Sequence, residues 1–79
     1  MTLLEIYEGT KSNFRKAGFN DLADTINQFQ LELGTPGEIF DKICHLANEI
    51  KENNRRAYEC SKEEIDWIIA EAKRINYLK

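Results

Sequence analysis

The chain has few of the residues that break helices or staple small folds: its 79 positions hold one Pro, four Gly and two Cys. Cys44 and Cys60 make neither a disulfide framework nor the two close ligand pairs that structural zinc sites normally use. No apolar run approaches the roughly 20 residues needed to cross a bilayer. No charged-then-apolar leader opens the chain, so a cytoplasmic protein with reduced thiols is expected. Strand-type alternation is missing too, which leaves no basis for a sheet. Nor is charge of one sign in large excess. Eleven Lys and Arg against 14 Asp and Glu give −3, too little for a disordered polyanion when 42% of the residues are apolar.

What is present is an apolar period of about 3.6 residues along nearly the whole chain. Thr2 and Glu5 form a capping box that opens a first helix over 2–17. Its stripe is Leu3, Tyr7, Phe14 and Ala17, with Ile6 and Thr10 beside it, and Gly18 supplies a left-handed stop. Asn20 fits the N-cap of a second helix over 21–33, with Asp21 and Asp24 in its positive first turn and Leu22, Ile26, Phe29 and Leu33 on one face. Thr35-Pro36-Gly37-Glu38 then sets N-cap, first-turn proline and capping glutamate in order. The helix it opens, 36–53, buries Ile39, Ile43, Leu46 and Ile50, flanked by Phe40, Cys44 and Ala47. A polar link from Asn54 to Cys60 carries Arg55, Arg56 and Tyr58. Ser61 and Glu64 make a third capping box for a last helix over 62–77, striped by Ile65, Ile68, Ile69, Ala72 and Ile75. The expected fold is all-α: one domain over 1–79, a compact antiparallel bundle of four helices, the last freer to cross at an angle.

Reactive chemistry finds little footing, and no catalytic residue, metal or cofactor is expected. The one histidine, His45, falls about 160° from the centre of the third helix's apolar stripe, between Asp41 and Glu49. Cys44 beside it is a poor candidate for an activated nucleophile, since adjacent helical residues point about 100° apart. A metal reading of Cys44, His45, Cys60 and a carboxylate has only one loose ligand pair. Nucleic acid is not expected either. A recognition helix needs basic residues on its exposed face, and here that face holds Glu38, Asp41, Glu49 and Glu52 with Lys42 alone for balance.

Charge placement says more. From Asp21 to Glu52 seven carboxylates face two lysines, for −5, while the segments on either side each come to +1. Such a face is either solvated surface that keeps a small protein soluble or a docking surface for a basic protein. Trp67 lies about 140° off its helix's stripe, with Leu78 on the same side. It is either an exposed interface anchor, like Tyr58 in the link, or buried against the 54–60 segment. Leu31, Trp67 and Leu78 also allow a structural or regulatory module acting by self-association or as an adaptor.

From Leu33 to Ile75 the chain resembles small all-helical bacterial immunity proteins, the MafI-like and colicin D immunity-like groups. A helix opens with Gly37-Glu38 and runs through Phe40-Asp41-Lys42-Ile43-Cys44 to Glu49; after a polar link another opens with Ser61-Lys62-Glu63-Glu64-Ile65. The resemblance implies an inhibitor, monomeric or at most weakly dimeric, that binds a toxin domain, often a nuclease, and blocks its active site. Under it Asp21, Asp24, Glu38, Asp41, Glu49 and Glu52 would meet basic side chains of the partner, and Tyr58 or Trp67 would add desolvated contact area.

Overall fold

Thr2 accepts from the backbone N–H of Glu5 while the Glu5 carboxylate accepts from the N–H of Thr2, so the first helix starts where its capping box directs. The computed structural model describes residues 2–78. Among them the chain forms five helices and no strand: α1 (Leu3–Lys16), α2 (Asn20–Glu32), α3 (Pro36–Asn53), α4 (Arg55–Cys60) and α5 (Lys62–Arg74). Gly18, at φ 87°, turns the chain between α1 and α2. Thr35 caps α3 by accepting from the N–H of Glu38.

The four long helices close into a ring in which α1 packs on α2, α2 on α3, α3 on α5 and α5 on α1. Cross-links fix the directions. Arg15 to Asp24 and Lys11 to Asn27 run between antiparallel α1 and α2. Lys51 near the end of α3 reaches Asp66 near the start of α5, and Phe40 near the start of α3 packs its ring on Tyr77, just past the end of α5. The core inside the ring is Ile6, Tyr7, Phe14, Ala23, Ile26, Phe40, Ile43, Cys44, Ala47, Ile50, Ile65, Ile68, Ile69 and Ala72.

Several local expectations are corrected. The Asn54–Cys60 link is not irregular: Asn54 accepts from the N–H of Ala57, and α4 follows with Ala57 buried. The fold thus has four long helices plus one short one. Phe19 rather than Asn20 occupies the N-cap of α2 and makes no side-chain cap. Thr35 keeps its half of the second capping box, but its hydroxyl, not its backbone N–H, donates to Glu38. Ser61 does not cap a backbone N–H at all; it donates to Glu64 at 2.9 Å, and the Asn13 amide of α1 donates to both, at 3.2 and 3.1 Å. A tertiary partner has captured a local motif. The last helix stops at Arg74, not 77, because the chain turns through Asn76 at φ 67°; Ile75 is left 39% exposed instead of joining the core.

Candidate functional site

Glu38, Asp41, His45, Glu49 and Glu52 follow one another on α3 at three- and four-residue steps, which confines them to about 80° of arc over about 21 Å of helix. All are exposed except Asp41, which is half-buried. Among the described residues, no Lys or Arg lies within ion-pair distance of Glu38, Asp41, Glu49 or Glu52; Asp41 meets only His45, at 3.5 Å. Lys51 points to the other side of the helix and is taken up by Asp66. The bundle therefore leaves an anionic ridge on α3 whose carboxylates make no ion pair with a Lys or Arg among the described residues, with exposed Lys42 at its edge.

The other expected site residues are dispersed. Asp21 sits at the start of α2 in a groove shared with Asn54, the C-cap of α3. Asp24, one turn further on, pairs with Arg15 of α1 at 3.1 Å. Tyr58 donates to Asp66 at 2.7 Å, and the Lys51 ammonium lies 5.5 Å from the centre of its ring. That hydroxyl is committed within the molecule. Trp67 is half-buried and lines a groove on the α1 side of α5 with Ile6, Glu63 and Glu64. Trp67 and Leu78 both pack against the core, while Leu31 is 76% exposed.

Around Cys44 the angular argument from helix geometry needs correcting. Cα–Cβ directions diverge at adjacent residues, yet the side-chain rotamers bring His45 Nδ1 to 3.7 Å from Cys44 Sγ. Asp41, Cys44 and His45 thus hold ligand-type atoms within 4.8 Å of one another. The hydrogen bonds show how the trio is occupied. The backbone carbonyl of Asp41 can only accept, so His45 Nδ1 at 2.7 Å carries the proton and Nε2 is the basic nitrogen of the neutral ring. Cys44 donates to the same carbonyl at 3.1 Å. The nitrogen nearest the thiol therefore has no free lone pair with which to activate it. Burial, and then the Asp41 carboxylate, push the Cys44 thiol up. The arrangement keeps the sulfur protonated.

One feature had no clear sequence signal. Leu3, Leu4, Tyr7, Gln30, Pro36 and Ile39 line a groove of about 320 Å³ where α1 and α3 begin and α2 ends. Tyr7 and Gln30 each carry a fully buried polar atom, the Tyr7 hydroxyl and Gln30 Oε1, without a hydrogen-bond partner among the described residues. A tyrosine on a core stripe raises the question of where its hydroxyl bonds, and that was the one available hint. No protein-family model, curated protein or solved structure gives a significant match to the chain.

Proposed function

We propose that this chain is a non-enzymatic inhibitor that binds a basic protein through the outward face of α3, in the manner of an immunity protein seated on a toxin domain. A nuclease is the kind of toxin that suits it best, because a groove built to attract phosphate also attracts carboxylates. The observation that carries the reading is the ridge of Glu38, Asp41, Glu49 and Glu52, aligned, solvent-facing and unpaired with the chain's own Lys and Arg among the described residues. Asp21 lies in the groove beside the α3 C-cap. Asp24, Tyr58 and Trp67 hold intramolecular contacts and take a secondary part. No residue is asked to make or break a bond.

Self-association through Leu31, Trp67 and Leu78 draws less support, since two of the three are packed against the core. Light scattering is expected to give a monomer independent of concentration.

The test is the double charge reversal Asp41→Lys with Glu49→Lys. The Asp41 side chain is about half exposed and Glu49 is exposed, so the thermal midpoint should stay within a few degrees of the parent. A basic protein retained from the native source by the immobilised chain should associate at least about tenfold more slowly with the double variant at low ionic strength, with a flatter salt dependence. Unchanged association kinetics would remove the acidic face from the mechanism.

A further inference from the structure

One turn of α3 gathers three different kinds of metal ligand. Asp41, Cys44 and His45 stand at positions i, i+3 and i+4, and a carboxylate oxygen, the sulfur and a ring nitrogen all lie within 4.8 Å of one another. The spacings suit a single small ion. Zinc bonds of about 2.3 Å to sulfur and about 2.1 Å to nitrogen and oxygen, arranged tetrahedrally, need edges of about 3.6 Å for S···N and about 3.4 Å for N···O. Cys44 Sγ lies 3.7 Å from His45 Nδ1, and that nitrogen lies 3.5 Å from Asp41 Oδ1. Thiolate, imidazole and carboxylate are also the donors that zinc takes, whereas calcium and magnesium want oxygen alone. The sequence reading set a metal aside because Cys60 had to belong to it; with Asp41 in the set, Cys60 is not needed.

The surroundings favour entry of a cation. Among the described residues no Lys or Arg pairs with Asp41, and Glu38 and Glu49 stand one turn to either side of the trio. Cys44 is 0% exposed, but the other two ligand side chains, His45 and Asp41, are 59% and 51% exposed and turn readily, so an ion reaches the sulfur when they swing aside. The competitor is the Asp41 backbone carbonyl, to which Sγ and Nδ1 both donate as the side chains stand. Coordination turns Nδ1 off that carbonyl and puts the ring proton on Nε2, while the thiol proton leaves to solvent and the sulfur binds as thiolate. We propose that Asp41, Cys44 and His45 bind one zinc-class divalent cation, with its fourth coordination position open to solvent. The site goes beyond the docking reading of α3 and stands even if that reading fails.

The test titrates Co2+ and then Zn2+ into the reduced full chain, both the parent and Cys60→Ser. Each protein should take up one Co2+ with a thiolate-to-cobalt band in the near ultraviolet and the visible bands of a tetrahedral ion, and Zn2+ should displace it. Zn2+ should also raise the thermal midpoint, as a ligand of the folded state does. His45→Gln lies at an exposed position and should keep the fold, while weakening Zn2+ at least about tenfold and removing that rise in midpoint. Failure of either protein to give the thiolate band, or a zinc affinity indifferent to His45→Gln, leaves the ion on surface carboxylates and overturns the site. A band seen in the parent alone assigns the ion to Cys60 and overturns it equally. So does uptake of one ion per two chains, which would place a second copy's side chains around the metal.

Discussion

Asn13 is half-buried at the contact of α1 with α5, where one amide nitrogen serves Ser61 and Glu64 together while Ser61 itself donates to Glu64. Ser61 is buried, so these partners are not readily replaced by water. Asn13→Ala should therefore cost about 1–2 kcal/mol, read as a lower urea midpoint with an unchanged slope. Arg15→Ala breaks a pair whose side chains are both about half exposed, and should cost less than about 1 kcal/mol. Equal losses in the two variants would mean that the Asn13 network is no more protected from solvent than a surface ion pair. The sequence presented Ser61 and Glu64 as a local cap because their spacing is right for one. It could not present Asn13, which comes from a turn of α1 brought alongside only by tertiary packing.

At the scale of the element, α4 is the part least legible beforehand. It runs for six residues and buries one of them, Ala57, so no apolar period could develop between Arg55 and Cys60. Its place is set by Tyr58, which with Lys51 and Asp66 ties α3, α4 and α5 at one end of the bundle. The Tyr58 hydroxyl, with help from Lys51, holds the Asp66 carboxyl below its ordinary range. A carboxylate depressed in the folded state contributes stability above its unfolded pKa, and that contribution is lost as pH falls through the folded value. Tyr58 is shifted upward chiefly because it donates to Asp66, so its share persists below the ordinary tyrosine range and disappears as pH climbs through the raised value. Asp66→Asn should accordingly lower the thermal midpoint near neutral pH, with the gap to the parent closing in strong acid. A gap that stays constant from neutral to acid solution would show that the charge on Asp66 is not what holds the three helices together.

For the whole molecule, the apolar period was enough to give an all-helical bundle, and the outward position of the α3 carboxylates followed from the same period. The rotation of each helix about its axis did not follow. α3 packs more extensively on α5 than on α2, which turns Phe40, Cys44 and Ala47 fully inward and leaves Ile39 and Leu46 half-buried. That choice depends on neighbours that a single-helix pattern does not contain, and the Tyr7–Gln30 groove lies beside Ile39 at that turned-out edge. At the centre, Phe14 is 0% exposed and meets Phe19 edge-on, with ring centres 6.4 Å apart. A domain of this size buries a smaller share of its surface than a larger one, so its total stability sits toward the low end of about 5–15 kcal/mol. Phe14→Ala removes about 3–5 kcal/mol of that, leaving little or no folded margin. The variant should lose its cooperative urea transition and broaden its amide spectrum, whereas Phe14→Leu, which keeps most of the volume, should retain both at a reduced midpoint. A Phe14→Ala protein unfolding near the parent's midpoint would place the mechanical centre of the bundle elsewhere. The alanine variant would also remove the rigid α3 on which four separated carboxylates act as one surface, so binding of a basic protein at the ridge should weaken in step with the folded fraction.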